Sequence, residues 1–390
     1  MSQWNTQNNH PLIENANDYF LEKKFISIHS GDRDIVKFPL ASEFEIELPQ
    51  DYLNVHSMEL ATWSFPSNYY TFSKIQNNTT FVFSVQPFDA VPTDTNYNYW
   101  HNVYLAIPLD HKFIVEIEEG FYTPIQLSVE LTRKMNEVVS VFLYEYFQEN
   151  GLMSFYLPYN EFVVVYHSVS EKLWFGNKSS YFILHNDDTS FHFQHKCITS
   201  NSVQNVLPEY DNWGLPFYLG FTRKKVESLE ATQRLRFYYG DVVAGDNGYW
   251  ISQNPDFANC KVYYIEAPIK INIMGPAYFY MELLNYNYLD ETSPYVLNKF
   301  TSSTNITTGV VNSAFAKIPI PSVPLSQWFD NEHQPIKYFD PPAERIRRLK
   351  IRFRYHNGFL VDFGNFEYSF TLQLKLLRPQ IRKKYYLSAV

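Results

Sequence analysis

The sequence predicts an all-β chain whose sheets pack in layers, as a sandwich or a barrel. Three observations carry this expectation. Apolar and polar residues alternate with period two in many stretches, a helical spacing of apolar residues is clear in one place, and Tyr, Phe and Trp make up 18% of 390 residues while Gly numbers 13. Alternation sorts the two faces of a half-buried strand. The aromatic content argues against disorder, and the shortage of Gly argues against collagen-like designs.

The elements follow in order. Met1 to Asn17 is polar and rich in Asn and Gln, without the basic-then-apolar layout of a secretory signal, and residues 1–20 read as a polar arm. Lys24–His29 reads as a strand, and Gly31-Asp32-Arg33-Asp34 as a turn. In Ser42–Leu48, Phe44, Ile46 and Leu48 share one face and Glu43, Glu45 and Glu47 the other. Further strands are expected at Met58–Phe65, Thr80–Val85, Phe113–Ile117, Ser154–Leu157, Glu161–His167, Tyr181–His185, Arg234–Tyr239, Lys261–Glu266, Ile269–Ile273, Ala277–Leu284 and Arg347–Arg354. Phe366–Leu376 alternates without a break, so a slip of one residue would expose six large apolar side chains.

One helix is expected over 124–142. Thr123 suits the N-cap, Pro124 the first helical position, and Ile125, Val129, Leu131, Met135, Val138, Val139 and Phe142 recur at helical spacing. A second short helical turn is expected near 203–213, and further turns at Gly176-Asn177 and Gly245–Gly248. The prolines of Ile318–Pro324 exclude a central strand and suggest an extended arm or edge, because proline donates no ladder hydrogen bond. No uncharged apolar run reaches the length of a membrane helix; the best, Val138–Phe147, contains Glu145. The expectation is a soluble chain. Its two cysteines, Cys197 and Cys260, exclude a disulfide scaffold and suit a reducing compartment.

Charge is unevenly spread. The formal net charge is −9, yet residues 341–390 hold eleven Lys and Arg against three acids. Within Arg347–Arg354, Leu349, Ile351 and Phe353 face one way and Arg348, Lys350, Arg352 and Arg354 the other. Four cations on one strand face repel unless water or an acidic partner screens them. This row is the candidate protein-binding surface, joined by the basic tail at Arg378, Arg382, Lys383 and Lys384. Nucleic acid is the weaker reading, since aromatic platforms would have to share that face and here they alternate away from it.

Other chemistry has less support. His185, His192, His195 and Cys197 are suitable residue types for zinc, but on a strand only His195 and Cys197 share a side, and no metal is expected. Glu43/Glu45/Glu47 and Glu116/Glu118 are the polar faces of amphipathic strands before they are carboxylate pairs for glycoside hydrolysis. No nucleophile elbow, phosphate-binding loop or dinucleotide fingerprint occurs, so neither enzyme activity nor a cofactor is expected.

A series of landmarks runs along the chain. It begins with Phe25–Asp34, Phe44–Leu48 and Phe65-Pro66-Ser67-Asn68-Tyr69-Tyr70, and continues with Glu119-Gly120-Phe121-Tyr122-Thr123 and Tyr218-Leu219-Gly220-Phe221. Ala316-Lys317-Ile318, Asp340-Pro341-Pro342, Leu349–Phe353, Gly358–Phe363 and Ser369-Phe370 complete it. In order and spacing this series resembles the minor capsid and capsid-associated structural proteins of nucleocytoplasmic large double-stranded DNA viruses. The resemblance implies jelly-roll β-sandwiches, here taken as two units at 21–225 and 226–390. It further implies a place in the virion, assembly in the host cytoplasm, and contacts with a major capsid protein, other minor components or copies of the chain itself. It carries no catalytic residues. The rival reading is a β-sandwich vertex or fibre module that grips a carbohydrate or receptor with aromatic loops such as Tyr97–His101.

Overall fold

The computed structural model describes residues 19–66, 70–74, 76, 78–187, 214–231, 251–292, 311–320, 327–330, 335–356, 358 and 360–379. Their strands are β1 (Tyr19–His29), β2 (Glu43–Pro66), β3 (Thr80–Gln86), β4 (Phe113–Glu116), β5 (Phe162–His167), β6 (Lys172–Asn177), β7 (Tyr181–Leu184), β8 (Val226–Glu227) and β9 (Leu229–Glu230). They continue with β10 (Tyr263–Glu266), β11 (Tyr278–Leu283), β12 (Leu289–Thr292), β13 (Val311–Ala314), β14 (Ala316–Pro319), β15 (Gln327–Asp330), β16 (Ile336–Arg354) and β17 (Ser369–Pro379). The two long helical elements are α1 (Tyr97–Ala106) and α2 (Pro124–Glu149). Every described strand pairing is antiparallel, and the all-β expectation holds.

The chain divides into two compact units, but not near residue 225. The first gathers Met1–Tyr69, Pro276–Pro294 and Thr308–Val390, and the second is Tyr70–Gly275 with Tyr295–Thr307. The sequential division fails for a physical reason: β2 finds its hydrogen-bonding partners in β16 and β17, near the other end of the chain. Alternation shows that a strand exists without showing which distant strand completes it.

In the first unit the strand order is β1-β17-β2-β16-β11-β14, with β15 also on β2. Phe44 pairs with Ile351, yet Phe65 packs against Phe353 at 5.3 Å between ring centroids. Laid straight, the stretch from Phe44 to Phe65 would span about 70 Å. The ribbon therefore folds over, helped by register shifts where β2 meets β16 and β17. The inward residues of both arms form one core, including Ile28, Phe44, Met58, Phe279, Ile351 and Leu374. This is the two-layer arrangement that a jelly-roll-like sandwich requires. Proline-bearing β14 sits at the end of the sheet, as the missing amide donor of Pro319 demands.

The second unit holds two four-stranded sheets, β4-β3-β7-β8 and β5-β6-β10-β9, which share one core with α2. Thr123 and Gln126 form a reciprocal capping box and Pro124 opens the helix. The helix runs past the expected 142 to Glu149, because its buried stripe of Leu127, Leu131, Met135, Val139, Leu143 and Phe147 continues unbroken. A second stripe matters as much. Thr132, Asn136 and Ser140 lie one turn apart and hydrogen-bond the main chain at and before β5, which ends its sheet. Thr132 Oγ1 accepts from Val164 N (2.8 Å), Asn136 Oδ1 from Phe162 N (3.0 Å) and Ser140 Oγ from Tyr159 N (2.9 Å). These side chains stand in for a neighbouring strand and cover the edge.

Several expectations change. Tyr97–His101 is helical, the start of α1, with Tyr99 and Trp100 buried. The strand expected at Ser154–Leu157 is replaced by a 3-10 turn at Met153–Phe155. Ile269–Ile273 makes no strand, since its amides bond in turn to Gly220, Glu171 and Tyr218 carbonyls rather than to one partner. The last long strand begins at Ser369, not Phe366, because Gly364 turns the chain at φ +56°. Gly176-Asn177 lies within β6, and the turn follows it. The expectations at 203–213, Arg234–Tyr239 and Gly245–Gly248 lie outside the described residues.

Candidate functional site

The basic row of β16 meets an acidic row within the same chain. Arg348 lies opposite Glu47, Lys350 opposite Glu45 and Arg352 opposite Glu43 in the β16–β2 register. The anionic screen that four like charges require is supplied by the neighbouring strand, whose own glutamates alternate with Phe44 and Ile46. Two ion pairs run diagonally, Arg348 Nη1 to Glu45 Oε1 at 3.7 Å and Lys350 Nζ to Glu43 Oε1 at 3.8 Å, and one directly across, Arg348 Nη2 to Glu47 Oε2 at 3.9 Å. Arg347, which strict alternation would turn into the core with Leu349, is instead exposed. A bulge between Ile346 and Arg348 shifts the register, so Ile346 and Leu349 are both buried three positions apart. Arg347 Nη2 then reaches Glu47 Oε1 at 2.6 Å and holds that carboxyl below its usual pKa.

Arg354 departs from the expected exposed row. Its side chain is 5% exposed and sits between two glutamates, bonded through Nε to Glu282 and held by an ion pair of 2.7 Å from Nη2 to Glu291. Glu291 also contacts His356 Nδ1. Arg354 lies opposite Tyr280 on β11, with its guanidinium carbon 5.1 Å from that ring's centroid. A lone buried cation would be prohibitive, and two carboxylates with a ring face make it tolerable. Of the four residues expected to offer a binding face, Arg348 and Lys350 remain exposed, Arg352 is half-buried, and Arg354 is internal.

The other candidates fare differently. Glu116 pairs with Lys74, and Glu118 lies 3.6 Å from Arg133. Arg378 pairs with Glu22, and Arg382, Lys383 and Lys384 lie outside the described residues. His192, His195 and Cys197 also lie outside them, while His185 Nε2 bonds Ser84 Oγ at 2.8 Å. Among the described residues no group of three or more His, Cys, Asp or Glu is placed to hold a metal ion. Cys260 is a buried free thiol, pushed up to about 11 by burial. A hollow of about 180 Å³ in the second unit is lined by Tyr99, Trp100, Asn160, Glu161 and Asp256, among others. Trp100 Nε1 donates to Asp256 Oδ2 (3.0 Å), and Asn254 Nδ2 to Glu161 Oε1 (2.8 Å). Burial raises the Glu161 pKa, but Tyr99 and Trp100 spend their rings on the core.

Sequence reasoning missed Glu282, Glu291 and the Thr132/Asn136/Ser140 stripe. The stripe had a readable signal, three small polar residues at i, i+4 and i+8 of a well-marked helix. Glu282 and Glu291 had none, because only tertiary pairing sets them against Arg354. No family model matches the chain, and no curated protein matches it. Among solved structures the chain is similar to a mavirus penton protein, at a TM-score of 0.39 and 8% identity over 91% of this chain and 99% of that one. A likeness of that size fixes neither activity nor partners.

Proposed function

We propose that this chain is a structural, non-catalytic component of the shell of a large icosahedral DNA virus. In this reading it sits in the virion beside a major capsid protein and other minor components and is assembled in the host cytoplasm. One observation carries the reading: the landmark residues behind the sequence resemblance do architectural work. Arg33 ties its turn together by donating to the carbonyls of Ser30 (2.6 Å), Phe38 (3.1 Å) and Pro39 (3.3 Å). Gly120 exchanges two main-chain bonds with Phe72 just before the Thr123 cap. Gly220 has φ +87°, and a Cβ there would lie 2.1 Å from the Ile269 carbonyl oxygen. Residues occupied with scaffolding suit a protein whose output is its shape.

The rival reading, an aromatic grip on a glycan or receptor, loses two of its chosen aromatic residues, because Tyr99 and Trp100 are only 3% and 5% exposed. The test is quantitative mass spectrometry with cross-linking on purified particles. Recovery in fixed proportion to the major capsid protein, with cross-links to shell neighbours, is expected. Absence from purified particles sinks the proposal.

A further inference from the structure

On the outward face shared by β2 and β16, Glu43, Glu45 and Glu47 form one stripe and Arg348, Lys350 and Arg352 the other, matched one to one. All six side chains are open to solvent, by 35–63%. Adjacent strands lie about 4.8 Å apart, so two narrow bands of opposite sign run side by side. The contacts between them are loose: 3.7, 3.8 and 3.9 Å for Arg348 and Lys350, against the roughly 2.7–2.9 Å of a closed charge-assisted bond. The Arg347–Glu47 pair beside them, at 2.6 Å, is closed. The striped cations therefore keep donor capacity for a second set of carboxylates.

We propose that this face binds a second copy of the same chain. A copy turned half a turn about an axis running along the strands, midway between the stripes, lays its basic band on the first copy's acidic band, and the reverse. Each residue keeps its level along the strand, so the second copy's Arg348 faces Glu47 and its Lys350 faces Glu45. Every cross-strand pair becomes an alternating square of four charges. This is an isologous, self-complementary contact. The stripes also select the occupant. A uniformly acidic partner would meet the glutamates one strand away from the cations it sought, and a uniformly basic one would meet the arginines. The chain's own face has the required banding and spacing. The pairing does not rest on the shell proposal, because it is read on the isolated protein.

The test is sedimentation velocity on the full chain across a concentration series, at about 0.05 M and about 1 M salt. Screening lengths of roughly 14 and 3 Å predict a dimer in the first and a monomer in the second. R348E with K350E leaves Arg352 as the one cation among the six residues of the face and is expected to weaken self-association at least about tenfold. Adding E45K and E47K to that variant puts a cation opposite each new glutamate and restores opposite charges at every level within one copy, which guards against failure to fold. This four-site variant is expected to dimerise with itself but not to mix with the unaltered chain, which carries the opposite order of charges at the two swapped levels. A monomer at low salt, a dimer indifferent to salt, or free mixing of the four-site variant with the unaltered chain overturns the proposal.

Discussion

Arg352 and Arg354 sit two positions apart on β16, on the same side by alternation, and live in different surroundings. Arg352 is 44% exposed and 3.7 Å from Glu282, whereas Arg354 is 5% exposed and clasped by Glu282 and Glu291. One strand thus carries an open charged ladder that ends in a buried ion cluster. The ladder spends little to exist, since its charges stay hydrated, and gains little from any one pair. The cluster takes three charges out of water, and its integrity depends on all of them. Position on a strand face sets a side chain's direction; what lies over it sets its energetics.

The contrast can be broken most directly at its buried end. Arg354→Ala removes the buried cation between Glu291 and Glu282, and a loss of about 3–5 kcal/mol is expected by urea unfolding. A loss below about 1 kcal/mol would mean that water enters the cluster freely and that the two ends of β16 are alike. Asn136→Ala sharpens the comparison by asking whether burial alone is costly without charge. It strips the partner from the buried Phe162 amide and carbonyl, and about 1–3 kcal/mol is expected. A cost matching that of Arg354→Ala would show that burial, not ionisation, dominates both. At the open end, Arg348→Ala is expected to change stability by no more than about 0.5–1 kcal/mol, and that difference should vanish in about 1 M salt. A larger, salt-resistant change would place Arg348 with Arg354 instead of opposite to it.

Much of this fold was legible in the residues. The alternation of Phe44, Ile46 and Leu48 with three glutamates gives the first part of β2, and Thr123-Pro124 marks the start of α2 to the residue. Lone alternation failed at Ile269–Ile273, where the side chains still point partly inward but the amides find three separate partners. Helix α1 was hidden because Asn96 begins it from a left-handed φ of 55° with no side-chain cap, and its aromatics follow no clean helical stripe. At the charged face the sequence shows the cations and, separately, the glutamates. That the two rows are neighbours follows from pairing between residues 300 apart, which no local pattern encodes. The bulge that turns Arg347 outward is likewise a tertiary adjustment, made where Ile346 and Leu349 both belong to the core.

The pairing of β2 with strands from the far end of the chain has a consequence for biosynthesis. β2 ends at Pro66, and β16 begins only at Ile336. At about 5–20 residues per second, translation takes roughly fifteen to fifty seconds to cover that interval. Throughout it the apolar side of β2 has left the ribosome without the strands that flank it. The intervening Tyr70–Gly275 stretch, complete in sequence by then, is free to fold first. The middle of the nascent chain is thus complete before the strands that flank β2 exist, and the earliest strands made are among the last to find their partners.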